Sequence, residues 1–427
     1  MPTIGDELDL LIESVAYRGN GVARVQGMVV FVAGVAPGEQ VRVRIAKIRR
    51  TYAEAELLSV SAPSSDRILP DCRLPDGSQV PGCVYDHLAY PAECAVKQSQ
   101  IEGFLRRLPG GASIPFLPPV ASPLQCHYRN KIVLHVARFR SNPLPQLGYL
   151  GADNRTVVDI PACPLARDPI NEALAHFRTS PAFSQLRDGE HLTFRWTRDD
   201  GVVAWRGSRD PKDTAILLSG ERKDRSFASR LTEQTPFGPV QVPLAGFYQV
   251  NPEVADALLR QATNWFVDSG GSGGEVLDFY SGVGVFAIAC ARAGARQAIG
   301  VESGRDAVAA ATDNARTHDV RVEFRCQSVG VAAGKLLSEC DLTRTTVIVD
   351  PPRQGMEPEA VQALTTHPPR TLFYVSCDPA TLARDLRPLL AAGYTIRQAQ
   401  LFDMFPRTAH FETIAWLNAP PRPLSLR

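Results

Sequence analysis

The 427-residue chain carries almost no net charge: 46 Lys plus Arg stand against 45 Asp plus Glu, a formal +1. Global charge therefore gives no argument for a polyanionic partner, and any such partner must be held by local patches. There is no repeat period, and no apolar run of the ~18 residues needed to cross a bilayer. The start, MPTIGDELDLL, is acidic and lacks the basic region and apolar core of a signal peptide, so a reducing, cytoplasmic compartment is expected. Nothing points to a membrane or to a protein partner. The nine cysteines (72, 83, 94, 126, 163, 290, 326, 340 and 377) are odd in number and irregularly spaced. In a reducing compartment they read as buried, metal-binding or catalytic rather than disulfide-paired.

What remains is an ordinary folded composition, 44% hydrophobic and 21% charged. The length suggests two or three domains, because single cores stop growing near roughly 250–300 residues. Three regions differ in pattern. Residues 1–63 alternate apolar and polar positions at period two between glycine turns, which predicts a small closed β-barrel. Its segment VRVRIAKIRR places Arg42 and Arg44 on one face, with Lys47 following. That stripe reads either as an RNA-contacting face or as a solvated edge strand. Residues 64–245 start in a Pro/Ser/Asp/Gly-rich linker and continue through a helix over 90–108, expected to pack on the catalytic domain, into an antiparallel-rich middle domain. Strands are expected there at KIVLHVARF, LGYLG, RTVVDIPAC, LTFRWTRDDGVVAWRG and TAILLSG. Residues 246–427 alternate strands with helices, which predicts a mostly parallel, Rossmann-like sheet covered on both faces.

Chemistry-bearing residues gather at expected strand ends in this last region. The first strand runs into Asp278-Phe279-Tyr280-Ser281-Gly282-Val283-Gly284, and glycines there let backbone N–H groups approach a ligand. Glu302 ends the next strand, 24 residues after Asp278, where an acid can accept both hydrogen bonds of a ribose diol. The third glycine of a dinucleotide fingerprint is absent, so a nucleoside without a pyrophosphate, such as S-adenosylmethionine, fits better than NAD. The fourth strand ends in Asp350-Pro351-Pro352-Arg353, whose prolines hold the carboxylate in the crevice. Arg353 stands where amine methyltransferases place an aromatic. Cys377 follows the fifth strand just before a helix, whose N-terminus favours a thiolate, and so reads as a nucleophile. Glu412, beside the apolar strand TIAWL, is by itself an ordinary surface acid, although a carboxylate so placed can be raised in pKa and act as a base.

Taken together, FYQVNP (Phe247–Pro252), DFYSGVG, DPPRQG, SCDPATLARDL and MFPRTAHFET resemble the RNA uracil-5-methyltransferase family, in the branch with an N-terminal TRAM domain, over nearly the whole chain. The resemblance implies a class I S-adenosylmethionine-dependent methyltransferase domain behind a TRAM barrel. It implies Cys377 as nucleophile at uracil C6 and Glu412 as the base that removes the C5 proton. It also implies Gln249, Tyr280, Glu302 and Asp350 as cofactor positions beside Gly282 and Gly284, with Asp350 in the catalytic crevice. Arg129 and Lys131 fall in a segment that faces RNA in relatives. The barrel implies 23S rRNA as substrate, with tRNA, or a non-catalytic RNA-binding factor, as alternatives.

Three positions depart from the family pattern. The glycine loop's usual Asn is Val285, and its usual Cys is Ser281. Of four cysteines that bind an iron–sulfur cluster in many relatives, Cys72, Cys83 and Cys163 are matched, whereas the fourth position is Val80. The incomplete set leaves open a cluster with a non-cysteine ligand or a site without metal.

Overall fold

The computed structural model describes residues 2–420, except 75, 140, 143, 152, 208–215 and 220–228; residues 216–219 are described by their backbone. The N-terminal sheet has six strands: β1 (Glu7–Leu11), β2 (Ser14–Val15), β3 (Gly21–Val25), β4 (Met28–Val32), β5 (Gln40–Ile48) and β6 (Tyr52–Ala62), in the order β1-β5-β6-β4-β3-β2. Alternation decides its inner face. Val41, Val43 and Ile45 of β5 point into a core with Leu10, Val30 and Val32, while Arg42 and Arg44 point out.

Helix α1 (Tyr90–Leu105) begins with a proline at its first turn and stops ahead of Pro109-Gly110. Its Ile101 and Leu105 pack in the C-terminal core beside Leu386 and Ala399. The chain then runs along the edge of the C-terminal sheet, with bridges Phe116↔Ala399 and Val120↔Phe402. Next come β7 (Lys131–Ala137), β8 (Gln146–Leu150), β9 (Val157–Asp159), α2 (Asp168–Thr179), α3 (Pro181–Ser184), β10 (His191–Thr197), β11 (Gly201–Arg206) and β12 (Ile216–Ser219). The strands form one antiparallel sheet, β12-β11-β10-β7-β8-β9. The strand expected at TAILLSG is seen as β12; residues 214, 215 and 220 of that stretch lie outside the described residues. A hairpin, β13 (Arg230–Thr235) and β14 (Gly238–Pro243), leads to α4 (Pro252–Asp268).

The C-terminal region then alternates as its pattern predicts: β15 (Glu275–Phe279), α5 (Val285–Arg292), β16 (Gln297–Glu302), α6 (Arg305–Thr317), β17 (Val322–Cys326), α7 (Val329–Glu339), β18 (Thr345–Val349), α8 (Pro358–Thr366), β19 (Thr371–Ser376), α9 (Pro379–Ala391), β20 (Thr395–Phe402) and β21 (Glu412–Asn418). The seven strands order as β17-β16-β15-β18-β19-β21-β20, parallel up to β19, with β21 antiparallel to both neighbours. Two elements escape the sequence pattern. Gly330 and Gly334 weaken the helical signal of α7, which is held instead by Val329, Ala333, Leu336 and Leu337 in the core. The first half of β20, Thr395-Ile396-Arg397-Gln398, reads as polar because only its second half is buried.

Candidate active site

Three carboxyl-edge positions come together through register. Strands β19 and β21 pair antiparallel with Ser376 opposite Thr413, so Cys377, the next residue, lies abreast of Glu412. Strand β18 is the parallel neighbour of β19, with Val349 opposite Tyr374, and delivers Asp350 to the same edge. Burial shifts all three groups, and neighbouring charge adds at Cys377 and Glu412. Burial pushes Asp350 up to about 7. Burial, then Asp350, pushes Glu412 well above the carboxylate range, with Arg353 opposing. The Glu412 Oε2 atom is buried without a hydrogen-bond partner.

The thiol corrects one expectation. A helix N-terminus was expected to favour thiolate at Cys377, yet burial, then the charges of Glu412 and Asp350, push it up to about 12, against Arg353. The helix end is also capped. The Asp378 carboxylate already accepts from Ala380 N at 2.9 Å and Thr381 N at 3.0 Å, so the free N–H groups of α9 are taken by an anion. Tyr17, from the turn between β2 and β3, donates to the other oxygen of Asp378 at 3.3 Å and ties the N-terminal sheet to this loop.

The glycine loop sits two strands away, between β15 and α5. Gly282 has φ +52° with open space where a Cβ would stand. Gly284 has φ +89°, and a Cβ there would meet the Phe324 ring at 2.5 Å. Gly282 is thus free for close approach by a ligand, whereas Gly284 is required by packing. The Glu302 carboxylate accepts from Gly282 N at 3.2 Å, Gly304 N at 2.7 Å and the Ser303 hydroxyl at 3.2 Å. It is fixed against the loop and keeps acceptor capacity toward the crevice. Tyr280, at φ +65°, donates its hydroxyl to Glu357. Val285 packs in an apolar group with Phe237 and Tyr248, so the exchanged loop position serves the core.

Asp278, under this loop, accepts from Ala287 N at 3.0 Å through one oxygen, while the other has no partner. Burial, with Asp350 and Glu302 adding, pushes its carboxyl up to about 8 from an ordinary 3.8. Below about pH 4 folded and unfolded chains both hold this proton. Between pH 4 and 8 only the folded chain holds it, so this contribution to stability is lost as pH rises. Asp350 acts with the same sign. The melting temperature of the cofactor-free chain is expected to fall from pH 5 to pH 8, and Asp278→Asn to reduce that fall by on the order of 5 °C. An unchanged pH dependence in the variant would count against a protonated Asp278.

Gln249 lies in the loop before α4, where Asn130 Nδ2 donates to its carbonyl at 3.3 Å and Asn130 N to Val250 O at 2.9 Å. These bonds bring the Arg129–Lys131 segment beside the FYQVNP motif. Arg129 donates to the Tyr128 hydroxyl at 3.3 Å, and burial, then Arg195, holds the Lys131 ammonium down at about 8. Burial and the cations Arg353, Arg129 and Lys97 hold His410 down at about 4, so it is neutral at physiological pH. The barrel stripe differs from the expectation of free charge. Arg42 pairs with Glu7 at 3.2 Å and Asp9 at 3.3 Å, Arg44 with Glu7 at 2.9 Å, and Lys47 with Glu54 at 3.5 Å. A recess of about 450 Å³ lined by Asp268, Arg370, Arg397 and Trp416 lies at the opposite, amino-terminal edge of the sheet, away from these groups.

The loop entering β21 is held by a buried ionic network. Lys97 of α1 donates to Glu93 and to Asp403, each at 2.7 Å. Arg407 reaches Glu93 at 3.1 Å, the Leu88 carbonyl at 2.8 Å, Gln125 at 2.8 Å and Asp71. Breaking such a buried pair costs about 3–5 kcal/mol, because the remaining charge is left unpaired. The residues beside Arg407 carry cysteines. Cys72 and Cys83, matched in sequence, have their sulfurs 2.9 Å apart, and Cys126, which the motif did not include, packs against the same apolar cluster and interacts with Cys72. Cys163 lies within electrostatic reach of Cys72 and accepts from the Tyr149 hydroxyl at 3.2 Å. As placed, no three His, Cys, Asp or Glu side chains stand at metal-ligating spacing among the described residues.

A seven-stranded sheet reversed at β21, with a glycine loop and an acid at the ends of β15 and β16, defines the S-adenosylmethionine-dependent methyltransferase class. Residues 241–420 match the tRNA (uracil-5-)-methyltransferase family model, and residues 3–58 match the TRAM domain. The chain is 31% identical to an uncharacterized RNA methyltransferase of Synechocystis, over 97% of this chain and 96% of that one. It is 30% identical to the 23S rRNA (uracil(1939)-C(5))-methyltransferase RlmD of Shewanella amazonensis, over 96% of each. The fold is that of the Pyrococcus abyssi tRNA (uracil-54, C5)-methyltransferase, solved with S-adenosyl-L-homocysteine. The TM-score is 0.69 at 24% identity, covering 96% of this chain and 100% of that chain. The chain belongs to the RNA uracil-5-methyltransferase family: it is an S-adenosylmethionine-dependent RNA (uracil-5-)-methyltransferase with an N-terminal TRAM domain. Among the described residues no helix is long and apolar enough to cross a membrane.

Proposed function

We propose that the chain methylates uracil C5 in 23S rRNA through a covalent adduct. The observation that carries this reading is the β19–β21 register, which sets Cys377 abreast of Glu412 next to Asp350. Uracil C5 is a poor nucleophile until sulfur adds at C6. In the proposed sequence the Cys377 sulfur bonds C6, and the electron pair released into the ring makes C5 attack the methyl group. S-adenosylmethionine, when bound, supplies that methyl as an electrophile. Glu412, in its carboxylate form, then takes the C5 proton, the C5–C6 double bond reforms and the Cys377 sulfur leaves. The target base must be unstacked for C6 to reach the thiol.

The raised thiol gives the first step a proton to dispose of. Asp350, held near neutral pH by burial, is the neighbour able to accept it, and Arg353 favours the resulting anion. Gln249, Tyr280, Gly282, Gly284 and Glu302 are assigned to cofactor binding; the open approach at Gly282 and the anchored Glu302 fit a nucleoside ribose. Arg129 and Lys131 are assigned to RNA phosphates. Arg42, Arg44 and Lys47 remain the barrel's RNA-binding assignment, and reach phosphates only by exchanging their carboxylate partners.

The ribosomal substrate rests on the RlmD relative, which matches over 96% of both chains. Labelled S-adenosylmethionine incubated with separated 23S rRNA and tRNA, both from a strain lacking the gene, tests it. Incorporation into 23S rRNA at one uridine is expected. Incorporation into tRNA alone would overturn the ribosomal assignment, and label in neither RNA would overturn the reading as a whole.

A further inference from the structure

Many relatives carry four cluster-binding cysteines, three after the barrel and one in the middle domain, and this chain has valine where one of them belongs. The structure brings another sulfur to the place. Cys126 precedes β7, and its segment zips onto that of Cys163 through His127 N to Pro164 O at 2.9 Å and Arg129 N to Leu165 O at 2.8 Å. On the other side it contacts Cys72, whose sulfur meets Cys83. Arg407 secures both approaches, bonding Asp71 next to Cys72 and Gln125 next to Cys126. Cys83 also pairs by backbone with Thr408, next to Arg407.

We propose that Cys126 is the fourth thiolate ligand of a [4Fe–4S] cluster held with Cys72, Cys83 and Cys163. The donor set fits. Four thiolates from three separate stretches of chain select iron–sulfur or zinc over hard cations, and family membership points to the cluster. The surroundings fit as well. Cys72, Cys83 and Cys163 are buried in one apolar cluster, with Cys126 packed against it. Two guanidiniums balance the charge of a thiolate site, Arg407 beside Cys126 and Arg129 beside Cys163. The Cys72 and Cys83 sulfurs, 2.9 Å apart, lie closer than two ligands of one cluster would; rotation about each Cα–Cβ bond opens the pair. Val80, buried at 1% exposure, fills the family's fourth position with hydrocarbon, so a fourth ligand has to come from another segment.

The test uses full-length protein purified and reconstituted without oxygen. Wild type is expected to hold ~4 iron and ~4 acid-labile sulfide per chain with visible absorption. Cys126→Ser should lose at least half of both while keeping its far-ultraviolet circular dichroism, and Cys94→Ser should lose none. Alkylation followed by mass spectrometry reads the same contact in wild type: Cys126 is protected in loaded protein and reacts once iron is stripped. Iron and sulfide absent from reconstituted wild type, zinc in their place, full iron in Cys126→Ser, or alkylation of Cys126 in loaded protein would each overturn the proposal.

Discussion

Cys377→Ala is expected to reduce methyl transfer by at least about 10⁴-fold, the equivalent of about 5.4 kcal/mol in the barrier. The effect is large because no other group in the crevice can form the bond to C6. Asp350 and Glu412 are carboxylates, and without addition at C6 the ring electrons are not directed to C5. The thiol itself is half-buried, next to the strand end, and alanine leaves no unpaired polar atom behind. Stability and binding of S-adenosyl-L-homocysteine should therefore stay close to wild type. The measurement is single-turnover transfer from labelled S-adenosylmethionine to RNA, with cofactor affinity by calorimetry alongside. A variant retaining a tenth or more of the wild-type rate would remove Cys377 from the nucleophile role.

Glu412→Gln should separate the two halves of the reaction. In the proposed sequence, sulfur addition and methyl transfer precede loss of the C5 proton, so a variant that cannot accept that proton should stall after transfer. A methylated protein–RNA adduct, stable on a denaturing gel, is expected to accumulate. Overall turnover should fall by about 10²–10⁴-fold, the range for removing a general base. Glutamine keeps the size of the side chain, which matters at a position 4% exposed with one oxygen unpaired. It also removes one of the charges that push the thiol up, so addition itself should not slow. An adduct seen equally in wild type and variant, or turnover unchanged in the variant, would assign proton removal elsewhere.

Much of the candidate site was legible because each of its parts is local. A glycine turn between a strand and a helix, an acid at the end of the following strand, and prolines after Asp350 are readable from a few neighbouring residues. The thiol's state was not legible. The expectation at Cys377 came from its helix alone, whereas its protonation depends on burial, on two carboxylates from other strands and on a cap already filled by Asp378. The barrel stripe shows the same limit. Arg42 and Arg44 read as basic along the chain, but Glu7 and Asp9 oppose them across the β1–β5 register. Cys126 was passed over because no motif surrounds it; its contact with Cys72 spans a long stretch of sequence.

By itself the sequence determined the kind of protein: alternation at period two for the barrel, strand–helix alternation for the C-terminal sheet, and motifs for the methyltransferase crevice. These are short-range patterns, and backbone geometry converts them into elements wherever the chain goes. Only the tertiary structure decided which elements touch. It wrapped residues 90–120 onto the C-terminal sheet and set Cys377 abreast of Glu412 through the reversal of β21. It also gathered Cys72, Cys83 and Cys126 near Arg407, on the loop that leads to Glu412. Such contacts are made by register, burial and charge pairing between distant segments, and those energies exist only once the segments are packed.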